Sequence, residues 1–325
     1  MRIIPDLRKH KGFSSRPVIL ALGNFDGFHL GHQKLLRYVV QQARKHHGLA
    51  AVLTFPEHPH SMLHPGRKPL MLTSIKQKLF YLARAGIDLC FLQSFTKSFS
   101  KMSSQDFVEK LLVKKLHIRE ICMGYDAHFG RGREGDTALM ERLAKKNGFL
   151  FRKMNPVLVT GKPVSSSRIR GFLIKGKIEK AGECLGRPFS LFGRVVRGKG
   201  HGFHLGFPTA NLEVHSDVMF PLGVYVAAGR FLPRAMPRSR GSSKWLPGVM
   251  NFGKRPTYPK AETPCPVLEL HLLGFKGKIY GKAMEIALHR FIRPEQKFCS
   301  EEALKARIRK DVQVARHHHS KSRLV

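Results

Sequence analysis

Between Pro17 and Met154 short apolar runs alternate with amphipathic stretches in the order strand, helix, strand, helix, and this alternation restricts the fold more than any other feature of the chain. A strand followed each time by a helix cannot turn straight back on itself, so successive strands lie parallel and helices cover the sheet. The pattern predicts strands at Val18-Leu22, Ala50-Phe55, Asp88-Ser94, Glu120-Gly124 and Phe149-Met154. The helices fall at Gln33-His47, Thr73-Ala85, Ser104-His117 and Thr137-Asn147. Gly48, Gly86 and Gly148 stand where a helix C-terminus takes a left-handed residue. The expected fold of this half is a doubly wound parallel α/β sheet.

After about Gly186 the texture changes to β-rich runs broken by Gly and Pro: Phe189-Val196, Ala210-Val214, Val224-Phe231, Leu246-Phe252, Val267-Phe275 and Ala283-His289. Six strands without intervening helices predict an all-β, six-stranded antiparallel barrel, closed by a C-terminal helix over Glu301-Ala315 with Ser300 as its N-cap. Arg234-Lys244 reads as an exposed loop. With 325 residues and an apolar fraction of 42%, the chain can bury two cores. The expected division is 1–185 for the α/β domain and 186–325 for the barrel, its helix and a basic tail.

The formal net charge of +36 favours anionic partners. Its spread from Arg8 and Lys9 to Lys321 and Arg323 argues against a dedicated nucleic-acid arm, so no obligate nucleic acid is expected. Cys90, Cys122, Cys184, Cys265 and Cys299 are far apart and form no CxxC pair, which excludes a zinc ribbon or disulfide framework and fits a reducing cytoplasm. Val18 to Leu22 is too short for a signal core or membrane span, so a soluble protein without membrane attachment is expected, with oligomerisation open. His317 to His319 read as part of a solvated extension.

Gly23-Asn24-Phe25-Asp26-Gly27-Phe28-His29-Leu30-Gly31-His32 follows the first buried strand and opens a helix, at the sheet edge where open α/β folds bind ligands. Its glycines let backbone approach a phosphate, the helix start offers unpaired N–H groups, and two imidazoles three residues apart can face one triphosphate. An HxGH in this setting points to nucleotidyl transfer at the α-phosphate of ATP. Ser165-Ser166-Ser167-Arg168 gathers hydroxyls and a cation at another helix start, and Gly124-Tyr125-Asp126-Ala127-His128-Phe129-Gly130-Arg131-Gly132-Arg133 ends the fourth strand at the same edge. Asp126 is either a buried structural carboxylate or a ligand contact. Lys101-Met102-Ser103-Ser104 resembles part of a KMSKS loop but lacks its last lysine, and Ser103 or Ser104 reads better as an N-cap. In the β-rich half, Thr209 and Asn211 of Gly206-Phe207-Pro208-Thr209-Ala210-Asn211 share one face of an extended chain, where both can address a metal-bound phosphate. Glu269 lies within the apolar strand Val267-Leu272, either on the solvent face or placed to accept a hydroxyl proton.

These motifs occur in order with TFPEHP at Thr54, LGRPF at Leu185, LGFPTAN, PLGVY at Pro221, GVMNFGKRPT at Gly248, LELHLLGF, IYG at Ile279 and FIRPEQKF at Phe291. Together they resemble the bacterial bifunctional riboflavin kinase/FMN adenylyltransferase (FAD synthetase) family over nearly the whole chain. The resemblance implies an N-terminal domain of HxGH nucleotidyltransferase type that adenylylates FMN to FAD, and a C-terminal kinase barrel that phosphorylates riboflavin to FMN, each using ATP and Mg²⁺. It implies that His29 and His32 are catalytic at the α-phosphate. Gly23, Asn24, Phe25, Asp26, Gly31, Ser166, Ser167 and Arg168 would form the nucleotide and phosphate site. Thr209 and Asn211 would bind Mg²⁺-ATP, Glu269 would be the base, and Asp126, Phe129 and Arg293 would lie on the flavin side. Three departures stand out: Phe203 where the family usually has Arg before LGFPTAN, Pro56-Glu57 exchanged within TFxPHP while His58 is kept, and Ser167 in place of Thr.

Overall fold

The computed structural model describes residues 1–9, 16–56, 70–198, 201–214, 220–232, 244–254 and 266–321. His58, Cys265, the 255–257 end of the GVMNFGKRPT motif, Arg323 and nearly all of the expected 234–244 loop lie outside them. The chain forms two compact units, the first running to Ser166 and the second from Ser167.

The first unit is built on a six-stranded parallel sheet: β1 (Arg2–Ile4), β2 (Val18–Leu22), β3 (Leu49–Thr54), β4 (Leu89–Leu92), β5 (Ile118–Gly124) and β6 (Leu150–Met154), in the order β1-β4-β3-β2-β5-β6. The central strand β2 is apolar at every position and buried at every position, as a strand covered on both faces must be. Its longest α-helices among the described residues are α1 (Leu30–Lys45), α2 (Ile75–Arg84) and α3 (Thr137–Asn147). Chain order runs outward from β2 through β3 to β4 and then jumps to β5 on the other side of β2, so the topological switch point lies at the C-terminal ends of β2 and β5.

Three local readings are corrected. The edge strand β1 was not expected, because three residues before a polar stretch carry no periodicity; it is held by parallel pairing of Arg2 to Ile4 with Leu89 to Phe91. After α1 the left-handed residue is His47 (φ 52°), not Gly48, whose role is a close approach: a Cβ there would lie 2.3 Å from the Pro17 carbonyl oxygen. Gly86 and Gly148 do take positive φ. The helix expected at Ser104-His117 starts with Ser103 as N-cap but is α only through Asp106, then widens to a π-helix over Phe107–Val113.

The second unit begins at the second residue of α4 (Ser166–Ile174) and continues with α5 (Ile178–Leu185), of which α5 packs on the barrel. The barrel strands are β9 (Phe189–Val196), β10 (Ala210–Val214), β11 (Gly223–Phe231), β12 (Leu246–Lys254), β13 (Pro266–Leu272) and β14 (Ala283–Pro294); a small hairpin, β7 (Leu158–Val159) with β8 (Lys162–Pro163), precedes them in the chain. They close in the order β10-β13-β12-β11-β14-β9, with every pairing antiparallel. Leu268, Leu270 and Leu272 are buried while Glu269 and His271 alternate with them at half-buried positions, the period of a barrel wall.

The C-terminal helix α6 (Glu301–Lys321) starts at Ser300, whose hydroxyl accepts the Ala303 N–H, and packs Ile308, Val312 and Ala315 on Val224, Val226 and Val249. Its second fastening is ionic. Arg293 at the end of β14 donates from Nε and Nη2 to the Asp311 carboxylate, with Nη2 to Oδ2 at 2.8 Å, and both groups are buried. The helix continues six residues past its expected end, and this corrects the reading of the histidine run as a solvated extension: His319 Nε2 lies 3.0 Å from the Ala227 carbonyl, and its ring is 5.3 Å from His289. Among the described residues no helix is long and apolar enough to cross a membrane.

Two predictions follow from these fastenings. Asp311→Ala leaves the Arg293 guanidinium buried without its counter-charge, so the barrel should lose about 3–5 kcal/mol, measured by denaturant unfolding. Burial, with His319 and His318 beside it, pushes His289 down to about 4, and His318 and His319 are also lowered, chiefly by burial. Neutral in the native state, these groups take up protons on unfolding, so their contribution is present above the ordinary histidine value and is lost as pH falls toward 4. The thermal midpoint of the barrel should therefore drop between pH 7 and 5, and His289→Leu should flatten that drop.

Candidate functional sites

In the first unit the segment after β2 does not continue as a regular turn. Phe25 (φ 52°) and Phe28 (φ 49°) both take left-handed backbone, a conformation that costs a bulky residue about 1–3 kcal/mol and that surrounding structure must impose. Asp26 imposes it. Its carboxylate, 1% exposed, accepts from the Leu72 and Thr73 N–H groups at 3.1 Å and from the Thr73 hydroxyl at 3.2 Å. The Gly27 N–H in turn reaches Thr73 Oγ1, and Ser166 Oγ donates to the Asp26 carbonyl at 2.9 Å. Phe25 is buried edge-on to His32, and Phe28 stacks on Tyr81 of α2.

The turn delivers two imidazoles to the switch point. His29 is the N-cap of α1, so the helix starts inside the motif, three residues before its expected start at Gln33. Its Nδ1 accepts from the His32 N–H, which leaves the ring proton on Nε2. The His29 and His32 rings stack with centroids 3.6 Å apart. Burial pushes His29 down to about 4 against the pull of Asp26, and burial, with His29 and Lys78 nearby, holds His32 well below the ordinary value. Both rings are neutral near pH 7 and present N–H donors without a net charge of their own. Gly31 packs closely here: a Cβ would press on the His29 ring at 3.1 Å.

The remaining candidates of this unit divide. Asp126, just beyond β5, is exposed, which removes the reading as a buried structural carboxylate. Phe129 is buried in the core 5.9 Å from Phe107, and its backbone pairs with Gly135. Ser166 joins the loop through Asp26, whereas Ser167 and Arg168 fall in the second unit, with the Arg168 guanidinium over the Phe172 ring. Sequence reasoning missed Lys78, fully buried on α2, with Nζ 3.2 Å from Asn24 Oδ1 and 2.8 Å from the Phe55 carbonyl. The available signal was a lysine directly before the apolar run Leu79-Leu82 of a helix.

In the barrel, register builds the site. Asn211 pairs with Glu269 and Glu269 pairs with Asn251, so three polar side chains stand in one row across β10, β13 and β12 on the outer face. The same row continues to Val224 and Arg293, where α6 covers it. Asn251 is a second residue that the sequence did not single out, because one Asn in a strand has no distinguishing pattern. Thr209 precedes the row, and its turn is anchored by the Pro208 carbonyl, 2.8 Å from His271 Nδ1. Two glycines let the chain pack directly against these side chains: a Cβ on Gly198 would lie 2.0 Å from Asn211 Nδ2, and one on Gly202 would lie 2.5 Å from the Phe207 carbonyl and 2.9 Å from Thr209 Oγ1. Phe203, 74% exposed on the short helix His201–His204, meets the His204 ring edge-on. Arg293 spends its guanidinium on Asp311 and the Pro294 carbonyl. Among the described residues no group of three or more His, Cys, Asp or Glu is placed to hold a metal on its own.

Residues 13–168 match the family model described as FAD synthetase, and residues 185–319 the one described as riboflavin kinase. Named bifunctional riboflavin kinase/FMN adenylyltransferases align almost end to end: one from Haemophilus influenzae at 35% identity over 91% of this chain and 92% of its own, and one from Escherichia coli K12 at 34% over 97% of each. The chain belongs to the bifunctional riboflavin kinase/FMN adenylyltransferase family. It is a transferase with an FAD synthetase domain followed by a riboflavin kinase domain, and its substrates and products are flavins. A solved structure named as a macrolide-efflux protein, from Streptococcus pneumoniae, is similar over 97% of this chain and 98% of its own, with a TM-score of 0.82 and 27% identity; the efflux in that name is said of that protein. Residues 169–184, most of α4 and α5, lie between the two family matches.

The glycines give a selective prediction for this bifunctional chain. Gly198→Ala displaces the Asn211 amide without requiring a left-handed backbone, so formation of FMN from riboflavin should fall by about 10²-fold while formation of FAD from supplied FMN is unchanged.

Proposed function

We propose that the stacked His29 and His32 pair carries adenylyl transfer to FMN, that the Asn211–Glu269 row carries phosphorylation of riboflavin, and that residues 1–185 and 186–325 are the corresponding functional divisions. The observation that carries the reading is the pair of neutral imidazoles at the switch point, spaced for one phosphate group.

In the first reaction an oxygen of the FMN phosphate attacks the α-phosphorus of ATP, and the bond to the β-phosphate oxygen breaks with pyrophosphate as leaving group. The backbone of Gly23, Asn24, Phe25, Asp26 and Gly31 leaves room for the triphosphate beside the start of α1. The His29 ring, with its proton on Nε2, would donate to the oxygen on which charge develops, and a donor fixed in advance stabilises the transition state more than the ground state. Ser166, Ser167 and Arg168 supply further phosphate contacts, and the Asp126 and Phe129 loop borders the flavin, with the buried Phe129 acting through its hold on that loop.

In the second reaction the riboflavin 5'-hydroxyl attacks the γ-phosphorus, its proton passes to the Glu269 carboxylate, and ADP leaves. The Thr209 hydroxyl and the Asn211 amide oxygen are hard, neutral donors, held in place by the close approach of Gly202 and Gly198, a set that fits Mg²⁺ held mainly by ATP phosphates. Bound there with ATP, Mg²⁺ neutralises charge on the phosphates. Arg293 supports the flavin side by fixing α6 against β14.

Single substitutions separate the two reactions. His29→Ala should lower FAD formation from FMN by about 10²–10³-fold and spare FMN formation. Glu269→Ala should lower FMN formation by about 10²–10⁴-fold and spare FAD formation when FMN is supplied. Chromatography of the flavins over time reads both, and loss of both products in either folded variant contradicts two independent sites.

A further inference from the structure

Lys78 is the one fully buried ammonium among the described residues, and nothing in the packing of α2 calls for it. Its helix has Leu79, Phe80 and Leu82 to bury, and a methionine of similar length would pack at position 78 without the large desolvation cost of a cation. The ammonium binds no carboxylate by hydrogen bond. Two of its three donors are used, on Asn24 Oδ1 and the Phe55 carbonyl, and the third meets no acceptor among the described residues. Those two acceptors lie just past the C-terminal ends of β2 and β3, and Asn24 is the second residue of the turn that carries the histidines. Nearby, His32 Nδ1 is buried without a hydrogen-bond partner. A cation with a spare donor and an imidazole with a spare nitrogen thus stand behind one turn.

We propose that Lys78 is a positioning residue for adenylyl transfer: by clamping Asn24 to the end of β3 it fixes the turn that holds His29 and His32, and it sets a buried positive charge behind the phosphates that the turn receives. The proposal rests on the adenylyltransferase reading of the first unit. Among the described residues, three titratable groups face the ammonium: Asp26 from the turn, Cys90 from β4 and His32 from α1. Asp26 favours its charge, and burial opposes it more strongly, lowering Lys78 to about 8. The Cys90 thiol, pushed up to about 12 by burial, stays neutral. Lys78 in turn helps to keep His32 unprotonated, so that the site holds its positive charge on the amine and its N–H donors on neutral rings. A triphosphate entering this site meets a cation screened by no solvent, where Coulomb attraction is several times stronger than at the surface.

The test is steady-state FAD formation from FMN and ATP by the full-length wild type, Lys78→Met and Lys78→Arg, with FMN formation from riboflavin measured in each. In Lys78→Met, kcat for FAD should fall by about 10²-fold with KM for ATP changed by less than about threefold, while FMN formation is unchanged. In the wild type, kcat/KM for ATP should decline as pH rises through about 8, because the free enzyme loses the cation; in Lys78→Arg that decline should move above the tested range. FAD formation by Lys78→Met within about threefold of wild type overturns the proposal, and so does the same alkaline decline in wild type and Lys78→Arg, which decides the matter even where Lys78→Met does not fold. A wild type that makes FMN but no FAD would instead overturn the adenylyltransferase reading.

Discussion

The Asp26 carboxylate governs the first unit. It is placed in a buried turn and takes up the amides of Leu72 and Thr73, which belong to the segment leading into α2. A buried carboxylate left unsatisfied would cost several kcal/mol, so the turn after β2 and the start of α2 must come together for either to be stable. Once they do, Phe25 and Phe28 are held in left-handed backbone, His29 becomes the cap of α1, and the two imidazoles stack. The turn and its two imidazoles are therefore fixed by interactions within the protein.

The second unit uses a different device for the same end. Register in a barrel is enforced on both faces, because a slip of one residue would turn Leu268 and Leu270 out of the core. The same register sets Asn211, Glu269 and Asn251 side by side. The apolar patch beneath α6 and the Arg293–Asp311 pair then limit how far the helix can move from the end of that row. Glycines at 198 and 202 let neighbouring chain close directly on Asn211 and Thr209.

Several features were legible from residues alone because they depend on neighbours in sequence. Hydrophobic period located β2, β9 and β10 to the residue, and turn chemistry identified Gly86, Gly148 and Ser300 and narrowed another N-cap to Ser103 or Ser104, of which the structure uses Ser103. What was missed has a common cause. The β1 strand is stable only through β4, Gly48 matters only because Pro17 comes close, and the histidine run is ordered only by contact with Ala227 and His289. None of these partners is near in sequence.

The amino-acid sequence by itself determined the two-part architecture, the order of the elements and the chemical groups available, since backbone propensity and side-chain period act over a few residues. Tertiary structure alone decided which of those groups act together. It made Lys78 a buried cation behind the histidine turn, set Asn251 beside Glu269, and committed Arg293 to holding α6. The reason is physical: desolvation and hydrogen-bond satisfaction depend on every atom that surrounds a group, and those atoms come from chain segments tens of residues apart.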